Sequence, residues 1–306
     1  MKTLLVTGAG GYVGQALLKQ LLAQGDWLIH AQLRQRSLPR ELCEHPRLVL
    51  RQGDLADPAF CDALCAGVDL IIHLAGRAHT AGTRDAQWRG SHLPTRLLAE
   101  AALRHKVGKF VFLSSIKAMT PQQSPYAEVK RLQEDLLLDL HQRGLLRVVC
   151  LRPALIYGPA MRGNLATLLK MLRKPRLRLL PRPSGTMGLI GLEDCCRAII
   201  AGLDIEALQG RSWQLDDGVR YDLADLFRRV RHQLGLTPPL LWIPRPVVFC
   251  ATALAQWSAP LTGLGIGKGS YATLYLERFR PDPRYGELSG FAPRQEFYQE
   301  LPRLLD

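Results

Sequence analysis

Residues 3–14 read TLLVTGAGGYVG. A strand-like apolar run ends at Thr7, glycines stand at 8, 10, 11 and 14, and a helical pattern starts directly behind them. Gly8, Gly11 and Gly14 supply what a phosphate-binding turn needs. The chain must reverse tightly and let backbone approach a pyrophosphate, while the unpaired amides and positive dipole end of the following helix face the anion. A glycine triad alone is weak evidence. The strand before it and the helix after it predict a dinucleotide site, with Thr7, Gly10, Tyr12 and Val13 completing the segment that wraps the phosphates.

Working outward, short apolar runs alternate with amphipathic stretches. Strands are predicted at 3–8, 27–33, 47–54, 69–76, 109–115 and 147–158, and helices at 13–24, 57–66, 88–104 and 125–143. Nearly continuous apolar strands suit a sheet covered on both faces. The expected fold is α/β: a doubly wound parallel sheet of the Rossmann kind, with a smaller α/β C-terminal substrate lobe. The dinucleotide domain spans 1–158, with 187–217 partly returning to it, and the substrate lobe spans 159–306. Helices are expected there at 164–173, 194–203 and 222–235, separated by short pieces such as RSWQLDD (211–217). The ligand cleft is expected between the two lobes, beyond the carboxyl ends of the strands.

With 306 residues, 47% of them apolar, the chain can bury a sizeable core. The net charge of +13 is densest in MLRKPRLRLLPRP (171–183) and FRRVRH (227–232). An anionic ligand or an acidic membrane surface suits that excess, as does a merely solvated arginine-rich surface. Nucleic acid does not, because neither patch interleaves aromatic residues and no nucleic-acid-binding motif is present. Seven cysteines without a Cys-x-x-Cys spacing or histidine partners argue against a disulfide framework or a metal site. The strand beginning almost at Met1 leaves no room for a signal peptide, so a cytoplasmic location is expected. From 246 to 267 no charged residue occurs, yet Pro260, Gln256 and several glycines and serines make this a poor transmembrane span. A buried or lid-like segment is expected there, with peripheral membrane contact as the other reading.

Two further features bear on chemistry. The second strand ends in AQLRQR (31–36), without the acidic residue that holds the adenosine ribose in NAD-selective folds. Arg34, with Arg36, would meet a 2′-phosphate, so NADP is favoured over NAD; a surface arginine pair is the alternative. In SPYAEVK (124–130), Tyr126 and Lys130 are four apart on one helix face, with Ser124 as N-cap and Pro125 at the first helical position. A tyrosine titrates near ~10, and a neighbouring cation would bring it toward neutrality as an acid–base group. Alone, the pair is better read as a core-facing tyrosine with an exposed lysine.

The glycine turn, GDLAD (53–57), HLAG (73–76), LSS (113–115), the Tyr126–Lys130 pair and RPALIYGP (152–159), in that order, resemble the extended short-chain dehydrogenases/reductases. That superfamily includes nucleotide-sugar epimerases, dehydratases and 4-ketoreductases. GFAPRQEF (290–297) is similar to its usual ending. The resemblance implies that Asp54 and Leu55 flank the adenine, that Leu74, Ala75 and Gly76 line the cofactor channel, and that Arg152 and Pro153 approach the nicotinamide amide. It implies catalysis by Ser115, Tyr126 and Lys130, with Ser115 at the substrate oxygen; strand alternation favours Ser115 over the adjacent Ser114. Asn164 would reach a substrate diphosphate, or equally cap a helix beginning at Leu165, and Arg162 or Arg182 would add charge. A homodimer through 88–104 and 125–143 is also implied. Departures are Ser91 and Pro94 after the fourth strand, and Thr186 and Met187 where phosphate-gripping arginines are expected. Three readings follow: hydride-transfer chemistry on a UDP- or dTDP-linked sugar in surface polysaccharide synthesis; reduction or oxidation of a lipophilic ketone or alcohol; and cofactor binding without catalysis.

Overall fold

Strand β1 (Lys2–Thr7) is the hub of the sheet, and its residues Leu4, Leu5 and Val6 are fully buried because both of its faces are covered. The computed structural model describes residues 1–25, 27–35, 37–76, 83–161, 163–175, 179–236, 241–250 and 278–305. After helix α1 (Tyr12–Gln24), β2 (Trp27–Leu33) pairs with β1 on one side. A short helix α2 (Arg40–Cys43) leads to β3 (Leu48–Gln52), which extends that side. Helix α3 (Pro58–Cys65) then carries the chain back to β4 (Leu70–His73), on the other flank of β1. The reversal of direction between β1 and β4 opens a crevice at their carboxyl ends, the place where doubly wound sheets take ligands.

The sheet continues through β5 (Lys109–Leu113) and β6 (Val148–Pro153). The 147–158 run, expected as one strand, divides: β6 stays in the large sheet, whereas β7 (Leu155–Tyr157) pairs elsewhere. Pro153 ends β6 because proline has no amide to continue the ladder. The predicted helix at 88–104 is also broken. Thr83 caps α4 (Arg84–Gln87) by accepting from the Ala86 amide at 3.2 Å, a π-helical turn covers Trp88–His92, and α5 (Leu93–Arg104) follows. Pro94 offers no hydrogen to the preceding turn, and the wider π turn absorbs that loss. Helix α6 (Pro125–Gln142) starts as predicted: Ser124 Oγ accepts from the Ala127 amide at 3.2 Å.

Two compact units result, the first made of Met1–Pro153, Leu192–Leu215 and Pro283–Ala292. In it, Leu5, Ile71, Phe110, Phe112, Val148 and Cys150 meet the buried sides of α3, α5 and α6 in one core. Helix α8 (Leu192–Asp204) packs on α1, and β11 (Ser212–Leu215) completes a seven-stranded parallel sheet in the order β11-β6-β5-β4-β1-β2-β3. Helix α10 (Arg284–Ser289) closes this unit, with the Tyr285 hydroxyl donating to the Ala198 carbonyl at 2.6 Å.

The second unit comprises Ala154–Gly191, Asp216–Asp282 and Pro293–Asp306. Its strands pair in twos. β7 joins β10 (Leu189–Gly191), β9 (Thr186–Met187) joins β12 (Tyr221–Asp222), and β8 (Leu179–Pro181) joins β13 (Leu241–Ile243). Helices α7 (Asn164–Leu172), α9 (Leu223–Gln233) and α11 (Phe297–Leu305) surround a core in which Phe297 meets Tyr157 and Tyr221 edge-on at 5.3 and 5.8 Å. All seven cysteines are free. Of the uncharged 246–267 stretch, only residues 246–250 are described.

The turn after β1 is the tightest point of the sheet. Gly8 has φ +67°, and a Cβ there would lie 2.8 Å from the Ala75 amide nitrogen. Gly8→Ala is expected to cost about 1–2 kcal/mol in backbone conformation alone, with the clash in addition; a lowered urea midpoint at unchanged m-value checks it.

Candidate functional site

The glycine turn is built for close approach. A Cβ on Gly14 would sit 2.5 Å from the Gly8 carbonyl oxygen, so glycine lets α1 start directly against the turn. Gly11 caps α1 without any side-chain bond, and its first turn carries no acidic residue. Amides left unpaired at a positive dipole end, with no carboxylate to neutralise them, fit a pyrophosphate. The remaining turn residues hold the shape. The Gly10 carbonyl accepts from Gln15 Nε2 at 3.2 Å, the Val13 carbonyl faces Cys196 Sγ at 3.9 Å, and the buried Tyr12 hydroxyl has no hydrogen-bond partner among the described residues.

Gln32, near the end of β2, is buried and fully engaged: Oε1 accepts from the Gly8 amide at 3.1 Å and Nε2 donates to the Gly53 carbonyl at 2.8 Å. No acid stands where a ribose-holding carboxylate would, and Arg34 is exposed in the turn just beyond. Arg36 lies outside the described residues. Asp54 is exposed, with Oδ1 accepting from the Ala56 amide at 3.0 Å, whereas the Leu55 side chain belongs to the first unit's core, leaving only its backbone for a ligand. The Leu74 amide donates to the Thr7 carbonyl at 3.2 Å and the Ala75 amide approaches Thr7 Oγ1 at 3.4 Å. Space above Gly76 is faced by Ser91 Oγ and Lys130 Nζ, 3.6 and 3.8 Å from where a Cβ would be. That polar cradle fits ribose hydroxyls.

Ser115 and Tyr126 come together. The Tyr126 phenol is hydrogen-bonded to the Ser115 side chain, and Ser115 Oγ also accepts from the Lys117 amide at 3.3 Å. Ser114 takes the other face of the strand end: its Oγ is buried and without a hydrogen-bond partner among the described residues. Lys130 is buried, donates to the Leu113 carbonyl at 2.8 Å and lies 4.5 Å from the Phe112 ring centre. Burial lowers its pKa to about 8, against the pull of Glu134, so it remains an ammonium at neutral pH. The phenol departs from expectation. Burial raises the Tyr126 pKa, and the Ser115 bond offsets only part of that rise. At neutral pH the site therefore presents a protonated phenol, a hydroxyl and an ammonium, a set suited to giving a proton to an oxygen that gains negative charge.

Two buried networks behind this set escaped the sequence reading. In the first, Arg152 Nε donates to both oxygens of the fully buried Glu134 at 2.9 and 3.0 Å, Arg152 Nη2 adds a further bond, and Ser212 Oγ donates at 3.0 Å. Arg152, expected beside the nicotinamide amide, is thus held by Glu134, while Pro153 ends β6 as a buried residue. In the second, His73 links Thr7 Oγ1 (2.7 Å) to Thr95 Oγ1 (2.8 Å), and Gln133 Nε2 donates to the Ser91 carbonyl at 3.1 Å. Burial, with Lys130 nearby, drops the His73 pKa to about 3, so the ring is neutral. Glu134 carried one signal, its position one turn beyond Lys130. The partners Arg152 and Ser212 are distant in sequence and had none.

In the second unit, helix α7 begins at Asn164 itself and Gly163 is its N-cap, so the expected cap role of Asn164 shifts by one residue. Arg162 lies outside the described residues. Met187, at a position where an arginine was expected, is 6% exposed and packs in the apolar core; Thr186 Oγ1 accepts from the Phe279 amide at 2.8 Å. Among the described residues no helix is long and apolar enough to cross a membrane.

A switch-point crevice headed by a glycine-lined helix start without a side-chain cap defines a dinucleotide-binding α/β protein. The family model described as "NAD dependent epimerase/dehydratase family" matches residues 4–214, and the chain belongs to that family of oxidoreductases and epimerases. It is similar to the ceramide reductase of Caulobacter vibrioides, at 30% identity over 96% of this chain and 93% of that one. The UDP-glucose 4-epimerase of Vibrio cholerae is 23% identical over 80% of this chain and 79% of its own. Among solved structures, the Thermus thermophilus UDP-glucose 4-epimerase complex with NAD superposes with a TM-score of 0.71 at 20% identity, covering 99% of this chain and 98% of that one.

Removing one partner of a buried pair strands the other charge. Glu134→Ala is expected to destabilise the fold by about 3–5 kcal/mol, measured by chemical denaturation; a loss below about 1 kcal/mol, the range of exposed pairs, would show that Arg152 finds water instead.

Proposed function

We propose that the protein is an NADP-preferring reductase that converts a ketone on a lipophilic chain into a secondary alcohol. The observation carrying this reading is Met187. At a position where a nucleotide-sugar enzyme would be expected to grip a diphosphate with arginine, this chain has a thioether buried in the apolar core that also holds Leu189, Tyr157 and Phe297. A missing charge-assisted phosphate contact forfeits roughly 1.5–3 kcal/mol of substrate affinity. Similarity to a ceramide reductase over nearly the whole chain supports the same substrate class. A nucleotide-linked sugar draws its support from the UDP-glucose 4-epimerase likeness, which is weaker in identity and coverage.

The nicotinamide, when bound, supplies the hydride that reaches the carbonyl carbon. The chain's own groups handle the oxygen. Ser115 donates to it and holds it beside Tyr126, whose raised pKa keeps the phenolic proton available until the oxygen becomes an alkoxide. The proton then passes from Tyr126 to that oxygen, forming the alcohol. Solvent returns the proton to the phenolate left behind, and the Lys130 ammonium, facing the space above Gly76, is placed for the nicotinamide ribose. Glu134 offsets part of the cost of burying the ammonium, and Arg152 and Ser212 fix Glu134.

Turnover of a detergent-dispersed long-chain 3-ketone with NADPH, and none of UDP-glucose or a dTDP-4-keto sugar, is the expected result; the reverse pattern would sink the lipophilic reading. Tyr126→Phe should reduce kcat by about 10²-fold or more while leaving the Kd for NADPH within a few-fold, and a variant with full activity would remove the phenol from the chemistry.

The preference for NADP rests on Arg34 and Gln32. With Gln32 spent on Gly8 and Gly53, the end of β2 offers the adenosine ribose no carboxylate, and the exposed guanidinium next to it suits a 2′-phosphate. NADPH should bind more tightly than NADH in a fluorescence titration. Arg34→Ala should weaken NADPH by roughly 10- to 100-fold with little effect on NADH, whereas equal losses for both cofactors would put Arg34 outside the 2′-phosphate site.

A further inference from the structure

The basic run FRRVRH at 227–232 has no part in the site described above. Helix α9 buries Phe227, Val230 and Arg231 and leaves Arg228 and Arg229 in water. Together with Arg182 and Arg220 they line one groove of about 690 Å³ in the second unit, beside Tyr298 of α11. Two carboxylates share the groove, and both are engaged. Asp222 caps α9 by accepting from the amides of Ala224 and Asp225 at 2.9 and 3.0 Å. Asp225 holds Arg229 at 2.7 Å and Arg228 more loosely at 3.7 Å. Arg182 and Arg220 have neither an ion pair nor a hydrogen bond among the described residues. The groove thus holds more guanidinium than it neutralises.

We infer that this groove docks the protein on an anionic bilayer by seating phospholipid phosphates. Planar guanidinium forks match phosphate oxygens in pairs, and several exposed arginines on one surface favour a field of phosphates. A nucleic-acid strand would need open aromatic faces for its bases, but the Tyr298 ring already carries the Arg229 guanidinium at 4.5 Å. Charge alone gives reversible adhesion, and a second, apolar signal strengthens it. Val247 and Phe249, 54% and 53% exposed at the start of the uncharged stretch in the same unit, supply apolar side chains of that kind. The inference deepens the lipophilic-substrate reading and rests on it for its purpose, since a ketone that stays in a membrane has to be met there.

The test is co-sedimentation of the full chain with vesicles of phosphatidylcholine containing about a third phosphatidylglycerol, against pure phosphatidylcholine. Binding to the anionic vesicles only, released by high salt and weakened roughly thirty-fold in an Arg220→Ser/Arg228→Ser variant, is expected at about 1 kcal/mol per arginine. Equal binding to both vesicle types, no binding to either, or unchanged binding by the variant overturns the proposal. So does arginine-dependent capture of a single-stranded oligonucleotide in place of vesicles. Turnover of the detergent-dispersed ketone separates the two readings. Arginine-dependent vesicle binding with no ketone turnover removes the substrate class and leaves the docking surface standing; intact turnover in both proteins with no vesicle binding removes the docking surface alone.

Discussion

The contact between the turn after β1 and the segment after β4 is the constraint on which the rest of the site depends. Gly8 lies so close to Ala75 that no side chain fits between them, and Thr7 and His73, the last residues of the two strands, are joined by a buried hydrogen bond. Two parallel strands that diverge at a switch point leave an opening there. Here its rim is pinned from within, so the helix start at Gly11 and the polar cradle over Gly76 keep a defined spacing. The neutral His73 ring extends the pin to Thr95, and Thr95 donates to the Ser91 carbonyl at 2.9 Å.

A second constraint is electrostatic. Lys130 is an ammonium in a buried place, and an isolated charge there would give up its proton. Glu134 opposes that tendency, yet it could not be held without partners of its own, which Arg152 and Ser212 provide. The chain of support runs from β11 and β6 through α6 to the cradle at Gly76. Tyr126 stands differently: it has Ser115 as its partner and a raised pKa, which suits reduction of a carbonyl better than proton removal from an alcohol.

Local patterns carried most of the fold. The apolar runs at 27–33 and 109–115, the Ser124-Pro125 start of α6 and the glycine turn are decided by neighbours in sequence, and each lies where periodicity and capping put it, except that the strand expected at 109–115 stops at Leu113. What escaped was non-local. Whether 147–158 is one strand or two depends on which strands it pairs with, and β7 finds β10 more than thirty positions away. Gln32 looked like the end of a strand and proved to be the tie between the glycine turn and Gly53. Tyr126 and Lys130 were legible as a pair, but the direction of the tyrosine's shift was not, because burial is a property of the folded whole. Met187 read only as a missing arginine; its place in an apolar core needed the second unit to be folded.

Helix α10 places a late demand on assembly. The first unit begins at the N-terminus but takes its last piece from 283–292, where Tyr285 bonds to Ala198 and stands edge-on to Trp213 at 6.4 Å. At about 5–20 residues per second, a ribosome first has to add residues 216–282 of the second unit before that piece emerges. Until then α8 and β11 lack their final cover. A nascent chain can acquire the nucleotide end of the sheet early, yet its closing step waits for 283–292, which couples the integrity of the first unit to prior synthesis of the second-unit segment 216–282.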